Sequence, residues 1–237
     1  MIYMTALFLC LISFNSVLPL TVLDREAFYR ERASQTYSTF WYFIGSTVAE
    51  LPYVFFNGFL FTAIFYPFVG FTGSFGDAVF YGFNLSLMLL FSVYMGQLMS
   101  YLAPSVEVAT LLGVLFNSLF FLFMGFNPPA MSIPSGYRWL YHITPQKYSL
   151  GALTASVLAK CENGDGMGCG LIHDLPPFVW QGLGKADTTA SMKEFIEFVY
   201  EMKHDEMAVN TVAVIGFIIL IRVLGFLALS FINHQKR

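Results

Sequence analysis

The charges of this chain are confined to a few short places, and the gaps between them have the length of a lipid bilayer. No Asp, Glu, Lys or Arg occurs in 1–23, 51–76, 78–106, 108–137, 207–221 or 223–235. A helix rises about 1.5 Å per residue, so roughly 20 apolar residues cross a hydrocarbon core about 30 Å thick. Charged residues make up 11% of the chain, against about 25% in an ordinary soluble domain. The pattern excludes a water-soluble globule, and no basic stripe points to nucleic acid. Phenylalanine, at 27 of 237 residues, suits lipid-facing and helix-packing surfaces.

We expect an all-α integral membrane protein of five spans, over about 1–22, 40–69, 78–102, 107–126 and 208–231, forming one domain over 1–237. Residues 1–22 lack the basic start and the small-residue cleavage site of a secretory signal, so they read as a span. The run begins at Met1 with no polar flank, which leads us to expect a further helix ahead of it. The second span exceeds what a bilayer needs and tilts or lies partly in the interface.

Basic residues near span ends favour the cytoplasm. Arg25, Arg30 and Arg32 therefore put the loop 23–39 inside, and Lys236 and Arg237 put the chain's end there too. Five spans satisfy both clusters and place the long segment 127–207 outside. Cys161 and Cys169 lie there in a Gly-rich stretch, and an oxidising exterior would let them pair. Two free thiols, or a zinc site with His173, are the alternatives. Residues 133–159 are apolar but broken by Pro134 and Pro145, and carry Tyr137, Trp139, Tyr141 and Tyr148. They read as a re-entrant helix pair at the headgroup level, with a sixth span as the rival. Residues 188–206 read as an amphipathic helix, with Ser191 and Glu194 as its capping box and Phe195, Val199 and Met202 as its apolar stripe.

Catalytic signatures of soluble enzymes do not occur. The nearest approach to a phosphate loop, Gly182-Leu-Gly-Lys185, has Val179 where the first glycine belongs and Ala186 after the lysine. Asn84-Leu-Ser86 matches a glycosylation acceptor but sits inside a span and reads as inert. Two charges fall within the bilayer's inner half, Glu50 and Arg222. Such charges are costly and face protein or water. We expect both to face the interior and to approach one another, the alternative being that Arg222 snorkels to the interface.

Phe28-Tyr-Arg-Glu31, then Tyr37-Ser38, then Ala49-Glu-Leu-Pro52, with Val108-Ala-Thr-Leu-Leu112 and the Cys-bearing outer loop, occur in a distinctive order. In these the chain resembles the membrane domain of ABC transporters of the G subfamily, of the pleiotropic drug resistance type. The resemblance covers essentially the whole chain and implies an ABC-2 type helix bundle, here matched from the family's second helix onward. It implies a coupling helix over 24–34, with Arg25, Phe28, Tyr29, Arg30 and Glu31 touching a nucleotide-binding domain. It implies a slit for hydrophobic cargo, lined by 1–22 and 107–126, with Ile12, Asn117, Ser118 and Phe121 at or near it and Phe126 as a hydrophobic plug. ATP and Mg would sit on the nucleotide-binding domain, with no cofactor on this chain. The partners implied are that domain, a second membrane domain, the bilayer and an apolar cargo, at the plasma membrane. The function implied is ATP-driven export by alternating access. A nonfunctional fragment of such a transporter, a channel and a membrane-embedded lipid-modifying enzyme are the other readings.

Overall fold

The computed structural model describes residues 2–71, 73–161, 166–173, 175–184 and 189–232. Lys236 and Arg237, the expected basic end, and Lys185 of the phosphate-loop near match lie outside the described residues. Five helices are long and apolar enough to cross a membrane: α1 (Ile2–Ala33), α2 (Thr39–Val69), α3 (Phe75–Leu102), α4 (Val106–Phe123) and, last in the chain, α9 (Met207–Phe231). Between α4 and α9 lie α5 (Arg138–Ile143), α6 (Pro145–Leu158), α7 (Pro177–Gly182) and α8 (Met192–Val199). A two-stranded antiparallel sheet joins β1 (Leu171–Ile172) to β2 (Ala190–Ser191), with Leu171 opposite Ser191.

The first expected boundary moves. Where a loop was expected from residue 23, α1 runs on to Ala33. Residues 24–33 hold Arg, Glu and Ala, which are good helix formers, and no Gly or Pro. The charges mark where the helix leaves lipid, not where it stops. The amphipathic helix expected over 188–206 is shorter than that. Its Ser191–Glu194 capping box is present, but α8 ends at Val199, and Glu201 takes a left-handed φ of 54° that no helix continues through. Val199 and Met202 of its stripe are buried, Met202 from beyond the helix end.

The centre of the molecule is α3. Every residue from 84 to 101 is buried, and α1, α2, α4, α6 and α9 all pack against it. Helices in lipid gain little from hydrophobicity and associate through close packing and hydrogen bonds. Both occur here. Ser86 of α3 lies so close to Gly58 of α2 that a Cβ there would collide with it. Phe14 of α1, fully buried, packs its ring on Gly113 of α4, where a Cβ would overlap it, while Gly96 of α3 lies against Val17 and the Phe14 carbonyl.

The re-entrant pair is α5 and α6. At 14 residues, α6 is about 21 Å long, too short for a sixth span, and it is enclosed between α3 and α9 instead of resting on lipid. Tyr137 and Trp139 are exposed, whereas Tyr141 is buried. The segment between α4 and α9 is fastened to the bundle by Lys160, which bonds both carboxylate oxygens of Asp77 at 3.0 and 2.9 Å. Cys161 and Cys169 form a disulfide with their Cα atoms 5.1 Å apart, which removes the zinc alternative.

Replacing Gly113 by leucine should crowd the Phe14 ring and cost about 1–3 kcal/mol. A fall in the thermal unfolding midpoint of the purified chain in lipid nanodiscs checks this, with Gly216→Leu, a position open on all sides, as the neutral comparison.

Candidate functional site

A groove of about 670 Å³ runs along the seam between α1 and α4. It follows α1 from Met4 to Asn15, a rise of about 16 Å, and its volume suits a drug-sized molecule. Leu7, Phe8 and Leu11 of α1 face Val114, Phe121 and Leu122 of α4. Four uncharged polar side chains join them: Asn15, Asn117, Ser118 and Gln146. No charged residue lines the groove.

Of the cavity residues expected from sequence, Asn117, Ser118 and Phe121 come together here. Ile12 does not line the groove and is 64% exposed beside it. Phe126 sits away from the lining, beyond the C-terminal end of α4, stacked on Tyr3 with ring centroids 4.1 Å apart and near Tyr200 at 6.0 Å. The sequence reading missed Asn15 and Gln146. Helical spacing could have found the first, because Leu7, Leu11 and Asn15 recur every four residues on one face of α1. Gln146 comes from a separate short helix, α6, and carries no comparable signal.

The end of the bundle formed by residues 24–34 is built differently from the expected docking loop. Arg25, Phe28 and Tyr29 were expected to meet a partner, yet all three are buried. Arg25 donates to the carbonyls of Ser100 and Ala103, the latter at 2.6 Å, and of Pro104 at 3.4 Å. It thereby caps the C-terminal end of α3, where a cation is favoured by the helix dipole. Tyr29 donates its hydroxyl to the carbonyl of Ile232 at 3.0 Å and Arg32 reaches that of Ser230 at 3.5 Å, so α9 is capped likewise. Phe28 stacks on Tyr42 of α2 with centroids 4.3 Å apart. Three residues of α1 thus grip three other helices. Arg30 and Glu31, with Glu26 and Arg32, remain exposed. Tyr37 donates to a carboxylate oxygen of Glu31. Burial, then that acid, pushes its phenol up to about 12, so it stays a donor at neutral pH.

The intramembrane charges do not pair directly. Among the described residues no ion pair joins Glu50 to Arg222. Gln97 of α3 stands between them, accepting from Arg222 at its oxygen and donating to Glu50 at 3.1 Å from its nitrogen. Arg222 also donates to the Thr47 hydroxyl and the Phe43 carbonyl. Its guanidinium lies 4.0 Å from the Phe43 ring centroid and 4.2 Å from that of Tyr94. So enclosed, it does not snorkel. A carboxamide can accept from a cation through its oxygen and donate to an anion through its nitrogen at once. Glu50 is half-buried and borders grooves between α1 and α2.

No group of three metal-ligating side chains comes together among the described residues. Gly182 of the phosphate-loop near match ends α7 against the Phe198 ring, a packing position. Asn84, the glycosylation candidate, is buried and accepts from Thr211 at 2.8 Å, out of reach of modification.

Gln97→Leu should take one partner from each charge and destabilise the chain by about 1–3 kcal/mol. Combined with Arg222→Met, the loss should fall short of the sum of the two single losses by about 0.5–3 kcal/mol, read from denaturant unfolding in mixed micelles. Additive losses would mean that Gln97 does not hold Arg222.

Residues 1–158 match the ABC-2 type transporter family. ABC transporter G family member 52 of Oryza sativa subsp. japonica is 29% identical over 223 residues, covering 94% of this chain and 15% of that protein. Member 44 from the same source is 30% identical over 235 residues, covering 99% of this chain and 15% of its own length. Pleiotropic drug resistance protein 1 of Petunia hybrida is 28% identical over 235 residues, with the same two coverages of 99% and 15%. The chain therefore spans about a seventh of the length of these curated relatives. With five membrane-length helices wrapped on a buried α3 and a match over two thirds of its residues, the chain belongs to the ABC-2 type transporter family.

Proposed function

We propose that this chain forms the membrane pathway of an exporter of hydrophobic small molecules or lipids. The observation that carries the reading is the uncharged, largely apolar groove between α1 and α4. Burial of apolar surface would bind a cargo there, and a few polar groups would orient it. A second membrane domain closes the open side, where Phe8, Ile12 and Leu115 are exposed next to the groove. Phe126, stacked on Tyr3 at the outer end, serves as the outer barrier.

The pathway works by alternating access. Glu26, Arg30, Glu31 and Arg32 present a charged end of α1 to a nucleotide-binding partner domain, which would carry ATP and Mg. A push on that end moves α1 together with α3, α2 and α9 against α4, because Arg25, Phe28 and Tyr29 tie it to those three helices. Phe14, lodged between α3 and α4, is the fulcrum. Tilting about it widens the seam at one end of the groove and narrows it at the other. The relatives named for the ABC transporter G family and for pleiotropic drug resistance support the reading, and the plasma membrane is its expected site.

Asn117→Trp should fill the groove. In proteoliposomes holding the assembled transporter, export of an apolar fluorescent dye should fall at least about tenfold, the equivalent of 1.4 kcal/mol of lost stabilisation. The thermal unfolding midpoint should stay unchanged. Undiminished export with the groove filled would refute the pathway.

A further inference from the structure

We infer that the cleft between α1 and α2 is a second binding site, and that it takes an amphiphilic organic cation, an alkylated ammonium carried on an apolar body. The site is separate from the α1–α4 groove and does not depend on the export reading.

The cleft holds about 490 Å³. Asp24, Phe28 and Glu31 line one side, at the spacing of three and four residues that shares a helix face. Trp41, Tyr42 and Glu50 reach in from α2. Between them Gly45 leaves room, since a Cβ there would meet nothing within 4 Å. Phe28 and Tyr42 stack with centroids 4.3 Å apart, which holds two of the three rings in place. Three carboxylates and three aromatic rings thus share one space, and no Lys or Arg lines it.

The balance of charge points to a cation. Among the described residues none of the three carboxylates forms an ion pair. Glu31 accepts from Tyr37 and Glu50 from Gln97, both neutral groups. Arg25, next to Asp24 in sequence, is buried and bonded to carbonyls of the α3 end. Arg222 stands behind Gln97, outside the lining. The spacing sets the kind of cation. Asp24 and Glu31 are two turns apart, about 10 Å along the helix, and no three ligating side chains converge among the described residues. So wide a frame suits an organic cation and not a metal ion. The rings select the same class, because aromatic faces attract cations and cages of them recognise alkylated ammonium groups. Glu50 also lines a narrower cleft of about 170 Å³ that continues along the seam to Asn57. Val48 and Tyr53 near it are exposed, so an apolar body has a helix surface to lie along. A zwitterionic lipid headgroup offers the same ammonium but would bring its phosphate against the carboxylates, and like charges so placed repel.

The test uses the full chain in dodecyl maltoside micelles, which contain no choline, and two fluorescent probes. One is the trimethylammonium derivative of diphenylhexatriene. The other is its tert-butyl analogue, equal in shape but uncharged. Empty micelles correct for partition. The chain should bind the cation about 5–30-fold more tightly than the neutral probe. Asp24→Asn combined with Glu31→Gln should lower that ratio at least about threefold. Trp41→Leu should weaken cation binding about 2–5-fold. Gly45→Phe should fill the cleft and abolish saturable cation binding with the thermal midpoint unchanged, whereas Asn117→Trp should leave that binding intact. Equal affinity for the two probes, an unchanged ratio in the double variant, or cation binding that survives Gly45→Phe overturns the inference. Loss of cation binding in Asn117→Trp would put the cation in the other groove and overturn the second site. Displacement of the cation by glycerophosphocholine would make a lipid headgroup the occupant and overturn the free cation.

Discussion

In hydrocarbon there is no water to satisfy a polar group, so each one must find its partner inside the protein. In this chain those partners converge on α3. Thr211 of α9 donates to Asn84, Tyr94 donates to the Thr47 carbonyl of α2, and Arg222 reaches Gln97. Arg25 of α1 caps the far end, and Lys160 of the segment between α4 and α9 holds Asp77 at the near one. Measured interhelical bonds of this kind average well under 1 kcal/mol each, so no single one holds the bundle. Their value lies in register, since each bond can form at only one depth and one rotation of its helix.

That arrangement also fixes where the molecule can move. The seam between α1 and α4 has no comparable set of polar ties. Its principal contact is Phe14 against Gly113, a packed joint without directional bonds. A groove opens along the same seam. The tight column and the looser seam are complementary, because a pathway needs one wall that stays and one that shifts. The two kinds of contact are written in different residues, carboxamides and arginines for the column, small residues and a ring for the joint.

The spans and the fold class were legible because a water-soluble fold has little use for charge-free runs of bilayer length. The structure gathers the C-terminal ends of α1, α3 and α9 at one end of the bundle and the Lys160 tie at the other. What misled was treating charge as a helix boundary. Phe28 and Tyr29 look like a docking motif in sequence, yet residues three and four apart share a helix face. Continuing the helix therefore turns Arg25, Phe28 and Tyr29 together toward the bundle, while Glu26 and Arg30 turn outward. Gln97 and Gln146 escaped notice for another reason. Each looks like one polar residue in an apolar run, and its surroundings come from other helices: Gln97 bonds Glu50, 47 residues away, and Gln146 joins a groove lined by α1 and α4. The small β1–β2 ladder is too short for any periodicity to register.

The central claim is that α3 is a protein-enclosed column wrapped by the other helices. Photolabelling with a small lipid-dissolved carbene precursor, followed by residue-level mass spectrometry, measures this directly. The account predicts strong labelling at Tyr53, Phe56, Ile64 and Phe68 of α2 and at Val212 and Ile219 of α9, all exposed, with residues 84–101 unlabelled. Labelling of α3 at the level of α2 would contradict it.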